Sequence, residues 1–157
     1  MQTLPSLFVD QIKAQLPEEW TDLIKALDES SPISINYNRK KQETSLFPGD
    51  AIPWNPSGQY LEQRPSFTLD PHFQAGRYYV QEAGSMFIAH VIDQIQKDQK
   101  IKTALDLCAA PGGKTTLLLN QLVDDCVVVA NEVIKSRFQV LKDNLAKWGR
   151  ANVIAWD

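Results

Sequence analysis

The chain has 157 residues, 43% of them hydrophobic and 22% charged, with a net charge of −3. That length suffices for one full domain, or for a small domain and part of another. No run of 18 apolar residues occurs, and "MQTLPSLFVDQIK" lacks the basic start and continuous apolar stretch of a secretory leader. Neither a membrane span nor secretion is expected, and the cytoplasm is the default location.

Two cysteines, Cys108 and Cys126, stand 18 residues apart with no C-x-x-C and no histidine close by. Neither zinc nor a disulfide framework is supported, no metal site is expected, and each cysteine reads as a buried reduced thiol. Charge is uneven along the chain. Residues 1–75 carry six Lys/Arg and ten Asp/Glu, whereas residues 76–157 carry ten and nine. Neither half is a basic domain, so an RNA contact would have to come from local patches such as "NRKK" (38–41), a run that taken alone reads as a solvated loop.

In chain order, the first 30 residues predict two helices. "PSLFVDQIKAQL" brings Leu7, Phe8, Ile12 and Leu16 to one face, and "EEWTDLIKAL" does the same for Trp20, Leu23, Ile24 and Leu27. Both stripes read as core. Pro17 is placed to open the second helix, with Glu18 and Glu19 in its first turn. "SPISINYN" alternates apolar and polar residues (Ile33, Ile35, Tyr37), the pattern of a half-buried strand. A loop follows, then a short strand around a Pro/Asn/Gly turn in "AIPWNPSGQYLEQRP". Prolines 48, 53, 56, 65 and 71 make this stretch turn-rich.

From Gly76 the character changes. "GRYYVQEAGSMFIAHVIDQIQK" predicts an aromatic extended segment and then a helix with Met86, Phe87, Val91 and Ile95 on its apolar side. Strand "KTALDLC", helix "TTLLLNQLV", strand "CVVVANE", helix "KSRFQVLKDNLAKW" and strand "ANVIAW" follow. Phe138, Leu141, Leu145 and Trp148 recur at helical spacing, and Gly149 is the stop. Alternation of this kind predicts a parallel sheet with right-handed crossovers, hence an α/β fold. The division expected is a small α+β domain over 1–75 and a doubly wound portion over 76–157.

Between the first of these strands and its helix lies "DLCAAPGGKTT". Ligands gather at the carboxyl ends of parallel strands, and Ala109, Ala110, Gly112 and Gly113 let one approach the backbone closely. The P-loop pattern finds "GKT" at 113–115 but needs a glycine where Cys108 stands, and G-x-G-x-x-G is absent. Glu132, 20 residues after Gly112, ends the second strand. An acid there can accept hydrogen bonds from both ribose hydroxyls, and a ribose without adjacent phosphates suits a loop without a phosphate fingerprint. The pair favours an adenosyl ligand such as S-adenosylmethionine over a strand-end carboxylate or helix-cap role for Glu132. Asp106 has two readings, near the sulfonium and methionine part of that ligand or as a brace for the loop. Lys114 faces either the methionine carboxylate or a nearby acid.

"DLCAAPGGKTT", "YYVQEAGSM" and "ANEVIKSR...LKDNLAKWG...NV" resemble the Sun/Fmu-type RNA 5-methylcytosine methyltransferases. "IPWNPSGQYLE" followed by "GRYYVQEAGSM" looks most like the bacterial branch acting on ribosomal RNA. The resemblance covers most of the chain, strongly from Ile52 onward. It implies a Rossmann-like methyltransferase domain behind a small RNA-handling domain. Cys108, Ala109, Ala110, Pro111, Gly112, Gly113 and Lys114 would surround S-adenosylmethionine, and Glu132 would bind its ribose.

In this family a cysteine thiolate adds to carbon 6 of the target cytosine, carbon 5 takes the methyl group, and a base removes the carbon 5 proton before the thiol leaves. The target base must first be exposed from its stack. The family's cysteines lie in "PC" and "TC" motifs after the fourth and fifth strands, and neither motif occurs here. No catalytic residue is therefore assigned, and the chain alone is expected to be inactive. The family's adenine-site aspartate would fall just beyond Asp157, which is the candidate substitute. The reading is the N-terminal portion of an RNA cytosine methyltransferase, carrying the first three strands of a 3-2-1-4-5 sheet. Its first strand would then have an unpaired edge open to self-association. The alternative is a non-catalytic RNA-binding or assembly module with a vestigial cofactor loop.

Overall fold

The computed structural model describes residues 4–41, 45–150 and 152–156. It separates into two compact units, Met1–Pro32 and Ile33–Asp157.

The first unit is a helix pair, α1 (Ser6–Gln15) and α2 (Trp20–Asp28). Lys13 Nζ stands 4.5 Å over the Trp20 ring. Neither helix buries a residue, and Leu7 remains 70% exposed. The expectation that both stripes form core is therefore not met. Two helices of about three turns have too little surface to enclose each other's apolar faces. Pro17 lies in the connecting turn, and the first helical turn of α2 carries Asp22 rather than Glu18 or Glu19.

The second unit holds two sheets. The antiparallel one is built from β1 (Ile33–Tyr37), β2 (Ala51–Ile52), β3 (Asn55–Leu61) and β4 (Tyr78–Val80), in the order β2-β3-β1-β4. Between β3 and β4 lies the short helix α3 (Pro71–Gln74), where Pro71 occupies the first turn and the Asp70 carboxylate accepts the His72 N–H at 2.8 Å. The strand β1 departs from the half-buried pattern: Ser34 and Asn36 are as buried as Ile35. Their side-chain oxygens find protein partners, Ser34 Oγ donating to Gln81 O at 2.6 Å and Asn36 Oδ1 accepting from Asn55 and Asn120.

After β4 come α4 (Phe87–Asp98), β5 (Thr103–Asp106), α5 (Gly113–Gln121), β6 (Val127–Asn131), α6 (Lys135–Trp148) and β7 (Val153–Trp156). β5, β6 and β7 form a parallel sheet in that order, as the alternation predicts. α6 spans the predicted helix, and Gly149 closes it with φ +77° while its N–H reaches Leu145 O. Leu141, Leu145 and Trp148 pack with Val128, Ala130 and Leu119 on one face of the sheet.

On α4 the expected face is reversed apart from Met86. Phe87, Val91 and Ile95 are exposed, whereas Ala89 is buried with Met86, Ile52 and Leu117, and Ile92 packs on the sheet core. α5 explains the reversal. It lies between the two sheets, buries six of its nine residues, and presents Leu117 to the side of α4 that carries Ala89. No described helix is long and apolar enough to cross a membrane.

Candidate functional site

β5 ends at Asp106, and the turn that follows is fixed by its neighbours rather than by its own side chains. Ala109 N–H donates to Asn131 O at 2.9 Å, anchoring the turn to the end of β6. From α6, Arg137 Nη2 donates to Ala110 O at 2.6 Å and Asn144 Nδ2 to Pro111 O at 2.8 Å. Gly112 then takes φ +117°, a conformation side-chain-bearing residues rarely adopt, and its carbonyl receives the first α5 hydrogen bond, from Thr116 N. The N–H groups of Gly113, Lys114 and Thr115 consequently have no acceptor inside the helix, and the positive end of its dipole points the same way. Thr115 Oγ1 donates to Asp106 Oδ2 at 2.7 Å, so Asp106 braces the first turn through a hydroxyl.

A cleft of about 140 Å³ opens at this turn. Cys108, Ala109, Ala110, Pro111, Gly113 and Lys114 line it, six of the eight predicted site residues. The other two lie elsewhere. Gly112 faces α6, where a Cβ would stand 3.5 Å from Leu141. Glu132 follows β6 and is 3% exposed, with Oε1 accepting the Ile134 N–H at 3.0 Å. Its Oε2 lies 3.4 Å from Arg137 Nη1 and receives no hydrogen bond from the described residues. Arg137 thereby joins the carboxylate to the Ala110 carbonyl, tying the second strand's acid to the turn after the first.

Three residues that local sequence reasoning does not assign complete the cleft: Tyr79, Gln81 and Ser85. They come from β4 and the segment after it, brought in by pairing of β4 with β1. Burial pushes the Tyr79 phenol above its ordinary range. A Cβ on Gly113 would meet Tyr79 Cε1 at 3.4 Å and Gln81 Nε2 at 3.6 Å, so glycine keeps this part of the cleft open. The only early signal for these residues is the quoted "YYVQEAGSM", which carries no spacing rule that points to a ligand.

Only one of the two cysteines is placed as expected. Cys126 is buried and its thiol is pushed up by that burial, but Cys108 is exposed and forms part of the cleft wall. "NRKK" is not a free charge run either. Arg39 Nε donates to Ser57 Oγ at 2.6 Å, Lys40 pairs with Asp124, and Lys41 Nζ donates to the Lys147 carbonyl at the end of α6. Arg39 thereby ties the segment after β1 to β3, and Lys40 and Lys41 tie it to the α5–β6 loop and to α6. Asp157 lies outside the described residues. Among those described, no group of three or more potential metal ligands occurs.

Residues 4–83 match the family model for the N-terminal domain of 16S rRNA methyltransferase RsmF, and residues 93–157 match that for 16S rRNA methyltransferase RsmB/F. The ribosomal RNA small subunit methyltransferases F of Aliivibrio salmonicida and Aliivibrio fischeri are 28% and 30% identical, each over 96% of this chain and 34% of its own length. The chain thus spans about a third of the length of the curated relatives it matches. Among solved structures, a methyltransferase homolog protein from Pyrococcus horikoshii superposes with a TM-score of 0.80 at 28% identity, covering 96% of this chain and 52% of that one.

Proposed function

The chain belongs to the 16S rRNA methyltransferase RsmF family, and from that premise we propose that it builds the S-adenosylmethionine site of a ribosomal RNA cytosine carbon-5 methyltransferase. One observation carries the proposal: a backbone-walled cleft at a helix N-terminus, tied through Arg137 to a buried carboxylate that retains an unbonded oxygen. The residues suit the cofactor. Glu132 Oε2 has an unused acceptor, and Gly113 keeps space beside Tyr79. S-adenosylmethionine, when bound, supplies an electrophilic methyl group.

Each residue then has a definite task. The α5 N-terminus and Lys114 draw a carboxylate into the cleft. Ala109, Ala110 and Gly113 permit close approach of the ligand to the main chain. Glu132 accepts from ribose hydroxyls, and Arg137 keeps that carboxylate oriented. Residues 1–75 form the RNA-handling domain, 76–157 the methyltransferase portion, and ribosomal RNA as substrate places the protein in the cytoplasm.

The thiolate that carbon-5 chemistry requires is not among these residues. Cys126 is enclosed at the start of the second parallel strand, and Cys108 belongs to the cofactor wall. These 157 residues should bind the methyl donor without turning over unmodified ribosomal RNA. Titration calorimetry tests the binding claim. The chain should bind S-adenosylmethionine, and Glu132→Ala should weaken binding by about tenfold or more, the usual worth of hydrogen bonds to a charged acceptor. Absence of heat with the unaltered chain would instead favour the vestigial-loop module.

A further inference from the structure

Resting on that cofactor reading, we propose that Gln81 is the positioning residue for the ligand's amino-acid end. Its side-chain carbonyl accepts the α-ammonium, while the carboxylate lies at the N-terminus of α5.

Gln81 is 8% exposed, and its Oε1 is buried with no hydrogen-bond partner among the described residues. A buried amide oxygen left without a donor is disfavoured, and such atoms in native proteins call for an explanation. Here the surroundings supply one. The main chain of Gln81 is held on both sides by Ser34, whose carbonyl accepts the Gln81 N–H at 3.1 Å and whose hydroxyl donates to the Gln81 carbonyl at 2.6 Å. The side chain lines the cleft opposite Gly113, with Nε2 3.6 Å from where a Gly113 Cβ would stand, so that rotation of the terminal amide brings Oε1 to the cleft while the backbone stays fixed. The other buried unbonded amide atoms, on Asn36 and Gln121, belong to side chains that already bond within the amide network around Asn55. No such network engages the Gln81 side chain among the described residues.

The opposite wall has the complementary character. Three N–H groups without intrahelical acceptors, the helix dipole and Lys114 all favour an anion. A cleft with donors on one wall and an unpartnered amide oxygen among the polar groups of the other matches a zwitterion. Of the groups at the non-nucleoside end of S-adenosylmethionine, only the ammonium donates hydrogen bonds; the carboxylate and sulfonium do not. A neutral amide accepts from it without repelling the neighbouring carboxylate. The volume agrees, because about 140 Å³ holds one end of such a molecule and falls below the ~300 Å³ lower bound of whole-ligand pockets.

The test compares S-adenosylmethionine and S-adenosylhomocysteine with 5′-methylthioadenosine, which keeps the nucleoside and sulfur but lacks the amino-acid end. In calorimetric titration of the full chain, Gln81→Leu should weaken the first two by about tenfold or more and leave the third within about twofold. Gln81→Glu, which keeps the acceptor, should retain most of the affinity. A readout on the unaltered chain guards against a misfolded variant: the Gln81 side-chain amide resonance should shift with S-adenosylhomocysteine and stay in place with 5′-methylthioadenosine. Equal affinity of Gln81→Leu for S-adenosylmethionine, parallel losses for all three ligands, or an unmoved amide resonance would overturn the assignment. Failure of the unaltered chain to bind any of the three would sink the cofactor reading itself, which keeps the two failures distinct.

Discussion

The two sheets of the Ile33–Asp157 unit reverse the ordinary relation between polarity and burial. The antiparallel sheet encloses Ser34, Asn36, Asn55, Ser57 and Gln59, whereas the parallel sheet leaves Leu105, Val127, Ile154 and Trp156 exposed on the face away from α5 and α6. Leu105, Val129 and Ile154 stand in one row across its three strands. The difference lies in what each surface asks of its partner. Buried amides need donors and acceptors at fixed positions, so they lock the antiparallel sheet to α5 in one arrangement: Asn120 Nδ2 reaches the Tyr37 carbonyl at 2.5 Å and Gln121 Nε2 reaches Asn55 Oδ1 at 3.4 Å. An apolar sheet face is non-directional and accepts any apolar cover. Specific polar contacts therefore set the geometry of the cleft, and the apolar face makes no demand on it.

That contrast can be broken most severely on the covered side of the parallel sheet. Trp148 is 2% exposed within the α5–α6 core, and Trp148→Ala should cost about 3–5 kcal/mol, read as a large fall in melting temperature. A middle-sized effect is expected where polar contacts tie the elements together. Asn38 Nδ2 donates to both Gly76 O and Trp148 O, at 3.1 and 2.9 Å, and Asn38→Ala should cost about 1–3 kcal/mol by leaving buried carbonyls without a donor. The smallest change in stability belongs to the open face. Trp156→Ser, at a side chain 64% exposed, should alter unfolding free energy by no more than about 0.5 kcal/mol. We further propose that this face and the adjoining edge of β5, which pairs with β6 alone among the described strands, drive self-association. Sedimentation velocity should then show concentration-dependent association that Leu105→Ser with Trp156→Ser reduces, and unchanged association would remove the face from consideration.

How much of this was legible in the sequence varied with the range of the interaction. The helix α6 could be read to its ends because its periodic apolar positions and its glycine stop are local signals. The turn after β5 was legible for a similar reason, since small residues in a row announce close backbone approach. Where burial depends on distant partners, the sequence pattern misled. Phe87, Val91 and Ile95 look like a core stripe until α5 is seen to pack against the opposite side of α4. Ser34 and Asn36 look solvent-facing until Gln81, Asn55 and Asn120 arrive from residues far along the chain. Tyr79, Gln81 and Ser85 enter the cleft through the β1–β4 pairing, and no local period encodes that pairing.

The most direct test of the central claim is competition at the cleft. With labelled S-adenosylmethionine bound to the chain, unlabelled S-adenosylhomocysteine should displace it and ATP should not. Displacement by ATP, or no retention of the labelled donor at all, would contradict the assignment of residues 108–114 and Glu132 to an adenosyl methyl donor.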